Sequence, residues 1–343
     1  MLLPNPIVLQ RADPFVLRTD SGYLFTGSYP AYDRIVLRRA DRLADLQSAE
    51  EHTIWRHHET GPMSRLIWAP EIHRINGRWV IYFAAAPTME LSPDGHTFQH
   101  RVFCLTCDDE DPIAGTWTER GQVDTGMETF ALDATTFVST DGRQYLVWAQ
   151  QDLAIEGNSN LYIARMANPW TLDGPATRLS SPEYDWERVR FTVEEGPAIL
   201  VHDGTVFVTF SASGTGPEYA MGMLTAPLAD DDRPTDLLDS GVWTKLPEPI
   251  FVSDESVRQF GPGHNSFTVD ADGNDLLVYH CRNYVEILGD PLFDPNRHAR
   301  VGRIRWTENG MPDFGTPLQD TRWTPATCDV LPPDGKLVVD ETV

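Results

Sequence analysis

Val193-Glu194-Glu195-Gly196-Pro197-Ala198-Ile199-Leu200-Val201-His202-Asp203-Gly204 carries in one run the unit from which the chain is built. It holds two carboxylates, a tight Gly-Pro, a short apolar run and an Asp-Gly turn, and an apolar strand follows from Thr205 to Phe210. An Asp-Gly or Asn-Gly pair between apolar runs is the strongest short-range hairpin signal. The layout occurs five times, with turn glycines Gly22, Gly77, Gly142, Gly204 and Gly273 at steps of 55, 65, 62 and 69 residues. A strand follows each glycine, for example Trp79-Val80-Ile81-Tyr82-Phe83 and Tyr145-Leu146-Val147-Trp148. Repeats of about 40–70 residues built from strands alone read as a radial array. The fold class is therefore all-β, a five-bladed β-propeller, with residues 1–343 as a single domain.

Nine positions before each glycine stand Asp13, Trp68, Asp133, Glu195 and His264. In a propeller the inner strand of each blade begins at the central channel. Equivalent positions there face one another around the axis, so an active site is expected at one end of the channel. Glu194 is the neighbour of Glu195; alternation along a strand sends it away from the axis, and it is grouped with the substrate-binding residues, touching ligand or only biasing the charge. An acid before proline is held extended, which fixes Asp13 on the chain. Trp68 offers a flat face for a sugar ring, and Phe83 is grouped with it as substrate-binding. Glycines on both sides of Pro262 allow close backbone approach at His264, which near a water-filled axis can bind a metal ion. Arg282 can pair with the carboxylates or hydrogen-bond a hydroxylated ligand.

The remaining segments read as follows. Residues 1–11 are a lead-in that can close the last blade. A helical-looking piece lies near Leu43 to Glu51, and polar rim loops are expected at 86–100 and at Gln150 to Asn160. Gly302 to Trp306 and Leu331 to Val339 supply further strands. The formal charge is −24, from 27 basic and 51 acidic residues. That argues against nucleic acid and anionic membrane as partners, and no run approaches the roughly 20 apolar residues of a membrane span. The opening Met-Leu-Leu-Pro-Asn-Pro shows no secretory signal, so a cytoplasmic location is expected. Cys104, Cys107, Cys281 and Cys328 are too few for a disulfide framework.

Carboxylates around one pocket, with aromatics and an arginine, suit glycosidic bond cleavage. One carboxyl must be protonated to assist the leaving oxygen, and another ionised to activate water. A third raises its neighbour's pKa by like-charge repulsion.

Ala12-Asp13-Pro14, Trp68-Ala69-Pro70-Glu71, Leu132-Asp133-Ala134, Glu195-Gly196-Pro197 and Gly263-His264-Asn265, in that order, resemble the five-bladed glycoside hydrolases of family 43. Asn168-Pro169-Trp170 and Pro182-Glu183-Tyr184-Asp185-Trp186-Glu187 resemble the family's exo-acting α-L-arabinofuranosidase branch. The resemblance implies an inverting mechanism, with Asp13 as general base, Glu195 as general acid, and Asp133 tuning and orienting the acid. It implies no cofactor for the chemistry, and places His264 beside an axial ion or water cluster, often calcium. Position 194 departs from the neutral amide expected in close relatives. The invertase-like propellers fit less well, because their Asn-Asp-Pro start and Arg-Asp-Pro triplet are absent. The expected function is release of L-arabinose from arabinan or arabino-oligosaccharides. The alternatives are a β-xylosidase or endo-arabinanase of the same family, or a non-catalytic sugar-binding propeller.

Overall fold

A computed structural model describes residues 5–93, 95–230 and 233–321. Five antiparallel sheets are wound in sequence order. The inner strands are Ala12–Thr19, Arg65–Ile75, Ala131–Val138, Glu194–His202 and Phe260–Val269, and each hairpins into the next strand outward. The lead-in closes the ring: Ile7 N–H donates to Ala299 O at 2.8 Å, and Ala299 N–H to Val8 O at 2.9 Å. The first and last blades are thereby joined through backbone bonds, and the outer edge of blade five is covered.

The apolar residues form five buried clusters, chiefly where the sheets face one another. In blades two and three the second strands are buried almost throughout (Trp79 to Ala86, Tyr145 to Gln150), which is why they read as continuous apolar runs rather than alternating ones. The helical-looking piece is one 3-10 turn, Leu43–Asp45, and Glu51 instead begins the strand Glu51–Arg56. No helix among the described residues is long and apolar enough to cross a membrane. Cys104, Cys107 and Cys281 are buried free thiols. Cys328 and the strand expected from Leu331 to Val339 lie outside the described residues.

The ninth-position count needs a correction. Each inner strand carries a bulge, bounded by Ala12↔Ser28 and Phe15↔Thr26 in blade one. The equivalent first pairs are Trp68↔Ala84, Leu132↔Ala149, Glu195↔Ser211 and Gly263↔His280. One residue later the backbone turns left-handed, at Asp13 (φ 54°), Ala69 (46°), Asp133 (56°), Gly196 (55°) and His264 (43°). Trp68 and Glu195 are therefore equivalent to Ala12, Leu132 and Gly263, one residue ahead of Asp13, Asp133 and His264. The cause is the hairpin turns. Asn76-Gly77 and Asp203-Gly204 are two-residue turns, between Ile75↔Arg78 and His202↔Thr205. Blade one also has a two-residue turn, between Thr19↔Gly22, but its glycine follows the turn, and blades three and five use longer turns, between Val138↔Gln144 and Val269↔Asp275. A fixed count from the glycine thus lands on different rungs. Asp13 is also not extended as its proline suggests, because the bulge imposes the left-handed turn.

Candidate active site

The bulge is what makes a site. Strand alternation would send consecutive side chains to opposite faces, whereas a bulge re-aims them locally. Asp13, Asp133, Glu195 and His264 consequently meet at one end of the channel. Asp13 Oδ1 lies 3.2 Å from His264 Nδ1, 3.5 Å from His280 Nδ1 and 3.6 Å from Arg297 Nη1. Its Oδ2 accepts the Ser28 hydroxyl at 2.5 Å, and its N–H donates to His280 Nδ1 at 3.0 Å. That bond puts the neutral-ring proton of His280 on Nε2. Asp133 Oδ2 accepts the Gly196 N–H at 3.0 Å and stands 3.9 Å from His264 Nδ1. Glu195 Oε1 accepts the Tyr219 hydroxyl at 2.7 Å. Position 196 suits glycine: φ is +55°, and a Cβ there would press on the His264 ring, 3.0 Å from its Cγ.

Electrostatics separates these groups. Burial pushes Asp133 up to about 8; repulsion from Glu195 and Asp13 adds to this, while His264 and the Gly196 N–H offset part of it. Glu195 is also raised, by burial first and by Asp13, against the pull of His264 and the Tyr219 bond. Burial opposes charge on His264, but Asp13, Asp133 and Glu195 outweigh it and raise its pKa. His280 goes the other way, driven well down by burial and by Arg297. The centre therefore holds one imidazole that favours its proton and two carboxyls that favour theirs, which is what acid catalysis near neutral pH needs.

Glu195 is the member of this group that opens into a cleft of about 470 Å³, whose walls include Trp68, Phe98, Asn158, Phe191 and Leu292. Trp68 is buried to 8% exposure, stacked on His100 at 4.1 Å and edge-on to Tyr32 and Phe98. Its flat wall is thus held from several sides. The 86–100 and 150–160 loops meet at the rim, where Asn158 Nδ2 donates to His96 O at 3.3 Å.

Three residues expected to bind substrate lie elsewhere. Phe83 is fully buried between blades one and two, against Trp55 and Phe103. An aromatic on the second strand of a blade packs between sheets and does not reach the channel. Glu194 is fully buried and bonded to Lys245 Nζ at 2.6 Å and Ser180 Oγ at 2.9 Å. Arg282 is buried too; its Nη1 and Nη2 donate to Thr215 O and Pro291 O, each at 2.6 Å, and its Nε faces Asp294 at 3.4 Å. It braces two rim loops from behind. The arginine beside the carboxylates is Arg297, which, with Tyr219, Ser28 and His280, sequence reasoning missed. Gly216-Pro217-Glu218-Tyr219 was a turn with an aromatic and carried no further signal, and nothing near Arg297 marks it. Asp133, Glu195 and His264 also present donor atoms within 4.8 Å of one another and could hold a metal ion.

Residues 3–312 match the family described as glycosyl hydrolases family 43. The chain belongs to that family. It is 48% identical over 318 residues to the extracellular exo-alpha-(1->5)-L-arabinofuranosidase of Streptomyces avermitilis, covering 92% of this chain and 64% of the relative. It is 51% identical over 289 residues to the protein of the same name from Streptomyces chartreusis, covering 84% of each. Alpha-L-arabinofuranosidase 43 of Humicola insolens is 49% identical over 319 residues, covering 92% of this chain and 64% of the relative. This family-43 chain therefore spans a little under two thirds of the length of some curated relatives. Among solved structures, the alpha-L-arabinofuranosidase from Lactobacillus brevis superposes with a TM-score of 0.89 at 52% identity, over 93% of this chain and 98% of that one. Two of these relatives are named extracellular, which overturns the cytoplasmic location expected from the opening residues. A cleaved leader leaves no trace in a folded domain, so those residues do not report the compartment.

Proposed function

We propose that this chain is an inverting exo-acting α-L-arabinofuranosidase that releases L-arabinose from arabinan or arabino-oligosaccharides, with the propeller as its single catalytic domain. The observation that carries the reading is Glu195: a buried carboxyl whose pKa is raised by its surroundings, hydrogen-bonded by Tyr219, and facing a sugar-sized cleft with an aromatic wall. The names of the relatives supply the sugar.

Glu195 gives its proton to the glycosidic oxygen as the bond to the anomeric carbon breaks. Asp13 takes a proton from water, and the water oxygen bonds to the anomeric carbon from the opposite face. Ser28, His264 and Arg297 surround Asp13 and hold its carboxyl in place. Asp133, beside Gly196 and His264, holds the strand that carries the acid by accepting the Gly196 N–H. Were a hydrated cation such as calcium bound, the carboxylate oxygens of Asp133 and Glu195 would hold it, beside a His264 that has given up its proton. Such an ion would compensate negative charge in the resting site. It would also compete with the proton on Glu195, so no step runs through it.

A panel of linear α-1,5-arabino-oligosaccharides, a branched arabinan and nitrophenyl xyloside tests the reading. Arabinose as the sole early product, appearing first as the β-anomer by proton NMR, is expected. Early oligomers, preferential xylose release or no turnover would each replace it with a named alternative, and an α-anomer would overturn the inverting mechanism.

A further inference from the structure

Residues 181–193 form a strap that leaves blade three after Thr177–Ser180 and delivers the inner strand of blade four, Glu194–His202. One ammonium organises the strap. Lys245 sits on the short outer strand Thr244–Lys245 of blade four, distant in sequence from the strap it holds. Its Nζ donates to Ser181 O at 2.9 Å, to Glu187 Oε2 at 2.9 Å and to Glu194 Oε1 at 2.6 Å. Glu187 in turn accepts the N–H groups of Glu183 and Tyr184, at 2.7 and 2.9 Å. The beginning, middle and end of the strap thus converge on one cation. Both carboxylates have side chains at 0% exposure, and that of Lys245 is at 9%.

We propose that Lys245 is a positioning residue for the reaction: by clamping Glu187 and Glu194 it sets where the Glu195 carboxyl stands. The inference rests on the reading of Glu195 as the general acid. Its physical basis is the asymmetry around Glu195. On the C-terminal side the chain passes through Gly196, which has no side chain and is tied by its N–H to Asp133. On the N-terminal side the anchor is Glu194, whose side chain faces the gap between blades three and four while that of Glu195 faces the cleft. Backbone bonds to Ser159 help, at 3.2 Å from Glu194 N–H and 2.8 Å from the Ser159 hydroxyl. The strap is also tied by Gly214 N–H to Val189 O at 2.9 Å and Asn158 N–H to Thr192 O at 2.7 Å, while the carboxylates of Glu187 and Glu194 meet on the ammonium. Removing the ammonium leaves two buried carboxylates uncompensated, and such groups move or draw in water. Glu195 is the next residue along.

The test compares kcat and KM of Lys245→Met and Glu194→Gln on arabinotriose and on 2,4-dinitrophenyl arabinofuranoside, with circular dichroism melts alongside. Lys245→Met is expected to lose about 10²-fold in kcat on arabinotriose, the scale of a misplaced catalytic group. The loss should shrink by about tenfold or more on the dinitrophenyl substrate, which leaves with little protonation. Glu194→Gln keeps the Ser180 contact and should show a smaller loss with the same dependence. A protein merely less folded loses equally on both substrates, and that outcome in both variants overturns the proposal. If Lys245→Met does not fold, Glu194→Gln carries the test under the same criterion. Glu195→Ala separates the two readings. If it too loses equally on both substrates, the acid assignment fails; if it recovers on dinitrophenyl where the other two do not, only the positioning role fails.

Discussion

Gly263→Ala is a change of one methyl group, outside the reacting set, that should disable the acid. Position 263 lies in the strand Phe260–Val269, and its backbone is not left-handed, so alanine is tolerated conformationally. Space is the obstacle. A Cβ there would stand 2.4 Å from Tyr219 Cε1, 2.5 Å from Cδ1 and 2.8 Å from Ser211 Oγ. Carbon atoms in contact sit about 3.5–4.0 Å apart, so the ring must retreat by about 1 Å. The Tyr219 hydroxyl now donates to Glu195 at 2.7 Å, and a retreat of that size takes the bond beyond useful length. Ser211 is pressed as well, and its oxygen accepts the His264 N–H at 2.7 Å. Overpacking of this kind costs about 1–3 kcal/mol of stability, which leaves the propeller folded. The displacement of the acid should cost about 10²-fold in kcat. Turnover of an arabino-oligosaccharide, with a thermal melt to confirm folding, reads both. Tyr219→Phe removes the hydroxyl without moving the ring and should reproduce part of the loss. A folded Gly263→Ala protein with wild-type kcat would refute the chain of contacts from glycine to tyrosine to acid.

Asp13→Ala and Glu195→Ala should each lower turnover by about 10²–10⁴-fold, and on a dinitrophenyl substrate the Glu195 variant should recover more than the Asp13 variant. The Asp133 carboxyl is raised in the fold from 3.8 to about 8, so between those values the folded state binds the extra proton and stability falls as pH rises. Asp133→Asn should flatten the decline in Tm across that window, and an unchanged slope would count against the buried proton. His264→Ala should lower activity with no rescue by added calcium, and full activity would remove His264 from the site. Phe83→Ala should cost about 3–5 kcal/mol as a core truncation, read by denaturant unfolding, and a selective rise in KM without destabilisation would restore its role at the substrate.

The site was legible in part because its chemistry is concentrated at chain positions with their own local signature. Asp13-Pro14, Leu132-Asp133-Ala134 and Glu195-Gly196-Pro197 place acids among apolar or rigid residues, where surface decoration explains them poorly. Glu194 illustrates the limit. Alternation along the strand separates it from Glu195, but its partner Lys245 is 51 residues away, and no local pattern pairs them. Arg282 and Arg297 show the same blindness. Both are buried arginines on blade five, and only the path of the rim loops decides that one braces Thr215 and Pro291 while the other stands beside Asp13.

The sequence by itself determined the all-β class, the five units and the acids at the strand starts. Hairpin turns and apolar strands are local, and a chain of such units buries its sheet faces by stacking them in a ring. The rung on which each side chain sits was decided by the tertiary structure. The length of each turn and the place of the glycine in it shift Trp68 and Glu195 one residue from the glycine count, and a bulge with a left-handed residue re-aims the chain in every blade. The pKa values were decided there too. Desolvation and mutual repulsion among Asp13, Asp133 and Glu195 exist only once ring closure brings separate blades together and removes water from between them.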